Sequence, residues 1–176
     1  MIMPYNGQAN KTKTKTLKNR QKNQGEKKME NQTRKKTEEA LAEIYRNAQL
    51  ALQSIADITP QVDDNEVREE LARQHEIYEQ YSARASMLAK DLGVELKEPN
   101  MFKKAMMWGS IKMNTLTDNS RAHIAEMMIQ GTVMGITSLR TTASELPIDG
   151  NDEIIALLNE MIEMEEGFEK KWKEYL

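Results

Sequence analysis

The chain has 176 residues, a formal net charge of −3 and no cysteine. The lack of cysteine excludes disulfide bonds, thiolate metal sites and cysteine nucleophiles, and it is typical of a protein of the reducing cytoplasm. Proline and glycine number only 4 and 8, and no run of 18 apolar residues occurs. The composition therefore predicts a helical domain with a tail and no membrane span.

Charge divides the chain into two parts. Residues 1–36 carry 11 Lys and Arg against 2 Glu, whereas residues 37–176 carry 14 Lys and Arg against 26 Asp and Glu. We expect residues 1–32 to form a disordered basic tail, because they hold too few apolar side chains to offset chain entropy. The positive charge of this tail permits weak contact with an anionic surface. The acidic folded part is not expected to bind nucleic acid, which requires a basic face.

The stretch GEKKM at residues 25–29 raises a question about the start of the chain. It can be encoded by a purine-rich segment that resembles a ribosome-binding site directly before an ATG codon. A second hypothesis for the tail is therefore that Met29 is the native start and that residues 1–28 are translated leader sequence. An N-terminal peptide of the native protein that begins before Met29 would reject this hypothesis.

Four segments carry apolar residues at alternating spacings of three and four, the pattern of a helix with one buried face. They are residues 33–59, 63–92, 118–146 and 152–175. Pro60, Gly93 and Pro147 stand where the first three of them end, as expected for residues that interrupt helices. Four helices of similar length predict an all-α, up-down four-helix bundle over residues 33–176.

The connections between these helices differ in length. Tight turns join the first helix to the second and the third to the fourth, whereas about 25 residues separate the second from the third, enough to cross the bundle lengthwise. This crossover contains a predicted short helix, MFKKAMMWGSIKMNTL. We expect Phe102, Met106 and Trp108 to pack on the bundle; the alternative is a surface that lies on an anionic membrane or binds a partner.

The segment RAHIAEMMIQGTVMGITSL, residues 121–139, combines a histidine, three methionines and two glycines. Together with the order of the helices, it resembles a segment of small bacterial ferritin-like proteins, over about residues 33–176. The resemblance implies a ferritin-like bundle with a long crossover between the second and third helices. In that superfamily a di-iron centre takes one Glu from each of two helices and a Glu-x-x-His motif from each of the other two.

Neither Glu-x-x-His motif is intact in this chain. Ala72 stands three residues before His75, Phe168 stands three residues after Glu165, and His123 has its glutamate three residues later, in reversed order. Five residues remain as candidate metal ligands: Glu165, His75, Glu79, His123 and Glu126. Carboxylates and imidazoles suit iron or manganese, so a metal-binding bundle that oxidises iron or scavenges peroxide is one alternative function.

The candidate ligands are predicted to lie at different depths. His75 and Glu165 fall near the middle of their helices, whereas His123 lies roughly 10 Å from the start of its helix. A compact metal site needs ligands at one level, so the pattern weakens the prediction of a metal. Glu165 lies on the apolar stripe of the last helix, where a carboxylate is unfavourable unless it is paired or hydrated. Its predicted partners are Arg46, Arg73 or Tyr78.

The leading functional hypothesis is a non-enzymatic bundle without a cofactor, which acts as a homo-oligomer or by binding a protein partner. The chain has no phosphate-binding loop and no nucleophile-elbow pattern. The spacing of Gly131 and Gly135 predicts a close helix approach, within the chain or across a dimer. A second alternative is a carrier with a Met-rich core, whose cavity for an apolar ligand would lie beside Met127, Met128 and Met134.

Overall fold

The computed structural model describes residues 8–97, 118–147 and 151–176, with side chains described from residue 24 onward. Over these residues the chain is a bundle of four helices, which confirms the prediction of an all-α fold. The helices are α1 (Gln8–Ile58), α2 (Asn65–Asp91), α3 (Arg121–Glu145) and α4 (Asp152–Lys173). A short 3-10 turn, Thr59–Gln61, follows α1. Within this part of the chain no helix is long and apolar enough to cross a membrane.

Local side-chain chemistry sets the helix boundaries. The Asp64 carboxylate accepts hydrogen bonds from the backbone N–H groups of Glu66 and Val67 at the start of α2. The Ser120 hydroxyl accepts one from the N–H of His123 at the start of α3. Such caps satisfy N–H groups that have no partner within the helix. After α2, Gly93 adopts a φ of 66°, a conformation that favours glycine.

The first helix is much longer than the others. It spans 51 residues, against 27 for α2, and the side chains of residues 24–32 are exposed. Burial begins at Ala40 and Leu41, which are fully inaccessible. The predicted domain boundary at residue 33 stays a prediction. The structure is helical from Gln8, in the stretch where the sequence predicts disorder, and that disorder stays a prediction.

The helices form two hairpins, α1 with α2 and α3 with α4, and α1 also lies against α3 and α4. Arg121, at the start of α3, pairs with Asp64 at 2.6 Å and with Glu66 at 2.9 Å, both at the start of α2. The second and third helices therefore begin at the same end of the bundle. The end of α2 and the start of α3 therefore lie at opposite ends of the bundle. The predicted short helix at residues 101–116 lies outside the described residues.

On α4 the sequence predicts an inward stripe whose members from residue 154 to residue 172 are all buried: Ile154, Leu158, Met161, Glu165, Phe168 and Trp172. On α3 the predicted stripe is wrong at two positions, because Gly131 and Met134 are exposed. Apolar and small residues surround most of α3, so their spacing does not fix which arc faces inward. Met134 is 61% exposed, which removes it from the predicted Met-rich core.

A chain of hydrogen bonds crosses the core between α2 and α4. The Trp172 indole Nε1 donates to Gln74 Oε1 at 3.0 Å, and Gln74 Nε2 donates to Glu70 Oε1 at 2.6 Å. Arg73 pairs with the same carboxylate. These buried polar groups are all satisfied, as native interiors require. The polar groups in the middle of the bundle differ from them in this respect.

Candidate functional site

Glu165 lies in the middle of α4 and is only 1% exposed. Neither of its carboxyl oxygens has a hydrogen-bond partner of suitable geometry among the described residues. Desolvation raises the pKa of Glu165 to about 8, although the nearby Tyr78 hydroxyl acts to lower it. The carboxyl group is therefore mainly protonated at neutral pH, because burying the charged form without a partner is unfavourable.

Gly135 on α3 provides the space for this carboxyl group. A Cβ atom at Gly135 would lie closer than 3.0 Å to Glu165 Oε2, and at 2.8 and 2.9 Å from Asn47 Nδ2 and Oδ1. The Glu165 carboxyl and the Asn47 carboxamide thus rest together on the glycine. Asn47 Nδ2 is also buried without a partner among the described residues. The close contact at Gly135 is thus made by side chains of α1 and α4, and the predicted close approach of helices stays a prediction.

Tyr78 completes the arrangement from α2. Its ring packs edge-on against Phe168 at 5.5 Å between centroids. Burial, and then the proximity of Glu165, raise the pKa of the Tyr78 hydroxyl well above its usual value, so the hydroxyl stays neutral. Each helix therefore contributes one residue to what we call the Glu165 cluster: Asn47, Tyr78, Gly135 and Glu165.

Of the predicted partners of Glu165, only Tyr78 is close to it. Arg46 pairs with Glu43, and Arg73 pairs with Glu70. The contribution of Asn47 was not predicted, because it lies off the apolar stripe of α1 and nothing in the local sequence distinguishes it. In the sequence, Gly135 was indicated by its spacing of four residues from Gly131 in the stretch GTVMG.

The other candidate metal ligands lie in two separate pairs. His75 Nδ1 is 3.8 Å from Glu79 on α2, and His123 Nδ1 is 4.0 Å from its own-helix partner, Glu126. His75 is half-exposed, and His123 Nε2 is buried without a hydrogen-bond partner in the described ranges. The described residues form no group of three or more His, Cys, Asp or Glu side chains able to hold a metal ion. Iron or manganese binding therefore stays a prediction.

A shallow groove of about 440 Å³ lies between α1 and α2. Its lining includes Ile55, Pro60, His75 and Glu76, and none of the residues of the Glu165 cluster. This groove therefore provides no access for a substrate to the buried carboxyl group.

The solvent-facing side of α3 is unusual for this highly charged chain. Between Glu126 and Arg140 lie thirteen consecutive residues without a charged side chain. We define the exposed members of this run as the outer face of α3: Gln130, Gly131, Val133, Met134, Thr137 and Ser138. On α2, by contrast, most exposed positions are charged, among them Arg68, Glu69, Arg73, Glu76, Glu79, Arg84 and Lys90. Val133 and Met134 are the exposed large apolar residues on this face, and apolar surface without charge is a candidate for contact with another protein.

The described residues thus define an all-α four-helix bundle with the buried Glu165 cluster inside it and an uncharged outer face on α3. Comparisons of the chain with protein-family models, curated proteins and solved structures find no match. Its function must therefore be inferred from these two features.

We predict that Gly135→Ala lowers the free energy of unfolding by about 1–3 kcal/mol, because the new Cβ forces the Glu165 and Asn47 side chains apart. Urea denaturation measures this difference. The matched control is Gly167→Ala, since Gly167 lies in α4 and a Cβ atom there would meet open space. The control should be neutral or stabilise the helix by up to about 1 kcal/mol. Equal effects of the two substitutions would contradict the close packing at Gly135.

We predict that the stability of the bundle falls as pH rises from 4.5 toward 8. The folded pKa of Glu165 is raised from 4.5 to about 8, so the folded state holds its proton more tightly than the unfolded state. The stabilisation that comes from the bound proton is complete below pH 4.5 and is lost above pH 8. Glu165→Gln should remove this fall and exceed the wild-type stability above pH 8 by about 3–5 kcal/mol.

Denaturation curves measured across this pH range test the prediction. The control is Glu163→Gln, because Glu163 is an exposed residue of the same helix, and it should leave the wild-type pH dependence intact. If Glu165→Gln retains the same fall in stability, the buried carboxyl group is not its origin.

Proposed function

We propose that this protein is a non-enzymatic helical bundle that acts through self-association or by binding a protein partner, with the outer face of α3 as the contact surface. The observation that carries this proposal is the exposure of apolar residues on an uncharged helix face. Val133 and Met134 are 42% and 61% exposed, and no charged residue lies between Glu126 and Arg140. Burial of such a face is favourable because apolar surface leaves water.

Desolvation distinguishes this face from the other surfaces of the bundle. Docking on α2 would remove water from many charged side chains. A charge that is left imperfectly paired opposes binding by on the order of several kcal/mol. The outer face of α3 has no charge to desolvate. Met134 is unbranched and flexible, a property that lets one side chain fit surfaces of different shape. Cores of protein interfaces are likewise depleted in charge and enriched in methionine.

A ferritin-like fold is part of this proposal. It is supported by the common end at which α2 and α3 begin, shown by the pairing of Arg121 with Asp64. Two hairpins joined by a connection that spans the bundle are typical of ferritin-like proteins. The chain would then be a member of that class that acts without a di-iron centre.

The unpartnered oxygens of Glu165 favour one further candidate, a metal-binding bundle. In the described ranges Glu165 has no second carboxylate or imidazole gathered with it into a ligand group, so this candidate stands second. It predicts iron or manganese near one equivalent in protein purified without chelators, and loss of that metal in Glu165→Ala. Metal analysis of aerobically and anaerobically purified protein that finds neither ion would reject it.

The proposed contact surface is testable with a photoreactive amino acid placed at Met134 in cells that express the full chain. Irradiation should produce discrete covalent adducts of higher mass, because position 134 lies in the contact. The matched control is the same substitution at Met87, a methionine of α2 that is 66% exposed. The control should produce no discrete adduct. Identical products at both positions would contradict the proposal.

A further inference from the structure

We propose that the occupant of the outer face of α3 is a second copy of this chain, docked antiparallel about Val133 in a two-fold symmetric dimer. This inference rests on the proposed function, because it names the partner of the same surface. Its basis is the placement of charges at the two ends of an otherwise uncharged face.

Glu126 and Arg140 lie at equal distances from Val133, each seven residues or about 10.5 Å along the helix axis. Their side chains are 62% and 64% exposed. A two-fold axis through Val133 brings residue Glu126 of one copy opposite Arg140 of the other, and the symmetry repeats this pair. The dimer thus contains two pairs of opposite charge, one at each end of the uncharged face.

The direction of the contact follows from the same charges. In a parallel pairing Glu126 would face Glu126 and Arg140 would face Arg140, so that both ends would repel. The antiparallel pairing is the arrangement that replaces both repulsions with attractions. The bundle as a whole is acidic, with 26 Asp and Glu against 14 Lys and Arg over residues 37–176. Two copies therefore repel at long range, and an uncharged face is where this repulsion is smallest.

The side chains at the centre suit a helix-to-helix contact. Val133 and Met134 lie near the proposed two-fold axis, where they contact Val133 and Met134 of the second copy. Gly131 has open space around its Cα, and small residues on such a face permit close backbone approach. The face from Glu126 to Arg140 is about 21 Å long. A contact of this size is at the small end of specific interfaces, so we expect a reversible dimer with a Kd on the order of micromolar.

One rival occupant belongs to the same chain. Residues 98–117 lie outside the described part and include the apolar sequence MFKKAMMW. If this segment covers the outer face of α3, a photoreactive residue at Met134 will form crosslinks within one chain. A second copy instead predicts an adduct of twice the chain mass, linked through α3 on both sides.

The decisive experiment is sedimentation equilibrium of the full chain with charge-reversal variants. Arg140→Glu and Glu126→Arg should each weaken the dimer roughly tenfold, because each puts two like-charged pairs into the contact. The double variant Glu126→Arg with Arg140→Glu should return to within about threefold of the wild-type Kd, since both pairs are restored with reversed sign. Circular dichroism and thermal unfolding establish that each variant is folded.

The matched control is Arg84→Glu. Arg84 forms an exposed ion pair with Glu160, as Arg140 does with Glu166, so both substitutions break an ion pair within the bundle. Arg84→Glu should leave the dimer Kd unchanged, because α2 lies outside the proposed contact. A loss equal to that of Arg140→Glu would overturn the proposed register.

The results of these experiments distinguish a failure of the proposed dimer from a failure of the proposed function. A chain that is monomeric at 100 times the expected Kd, yet forms adducts with other proteins at position 134, overturns the dimer and leaves the contact surface. A dimer whose double variant stays as weak as the single variants overturns the antiparallel register. If position 134 crosslinks only within its own chain, both the dimer and the proposed function are wrong.

Discussion

The arrangement of the bundle depends on one close contact, that of the Glu165 carboxyl group with the backbone of α3 at Gly135. A side chain at position 135 would collide with Glu165 Oε2 and with both polar atoms of the Asn47 amide. The absence of a Cβ atom at Gly135 therefore makes room for the ends of these two side chains, which come from α1 and α4. Tyr78, from α2, encloses the same carboxyl group. Because no donor among the described residues satisfies its oxygens, the carboxyl group is stable in this place in the neutral form.

The same contact fixes which side of α3 faces solvent. This helix carries apolar and small residues around most of its circumference, so hydrophobic burial alone would permit several rotations. With Gly135 on the Glu165 cluster, Val133 and Met134 are turned outward and remain exposed. The buried acid and the uncharged outer face are thus two consequences of one helix orientation. The proposed protein contact depends on the uncharged outer face, and the pH dependence of stability depends on the buried acid.

The sequence was informative where the periodicity was strong. On α4 six predicted stripe positions are buried, including Glu165, because charged residues mark the opposite side of that helix. Leu157 and Ile162 are also buried, although they were not on the predicted stripe. On α3 the prediction was wrong for Gly131 and Met134, since a nearly uncharged helix has no polar side to mark its outer face. Asn47 could not be predicted, because its importance arises from packing between helices far apart in the chain. The sequence predicted that the five candidate metal ligands lie at different depths, and the described structure has them as two pairs and a separate carboxyl group.

The central claim, that the bundle encloses a neutral carboxyl group at Glu165, is tested most directly by carbon-13 NMR titration of the side-chain carboxyl carbons in the folded protein. We predict a glutamate signal whose carboxyl pKa is raised to about 8 and which is absent from Glu165→Gln. A Glu165 signal that titrates near 4.5, the ordinary value for glutamate, would contradict the account.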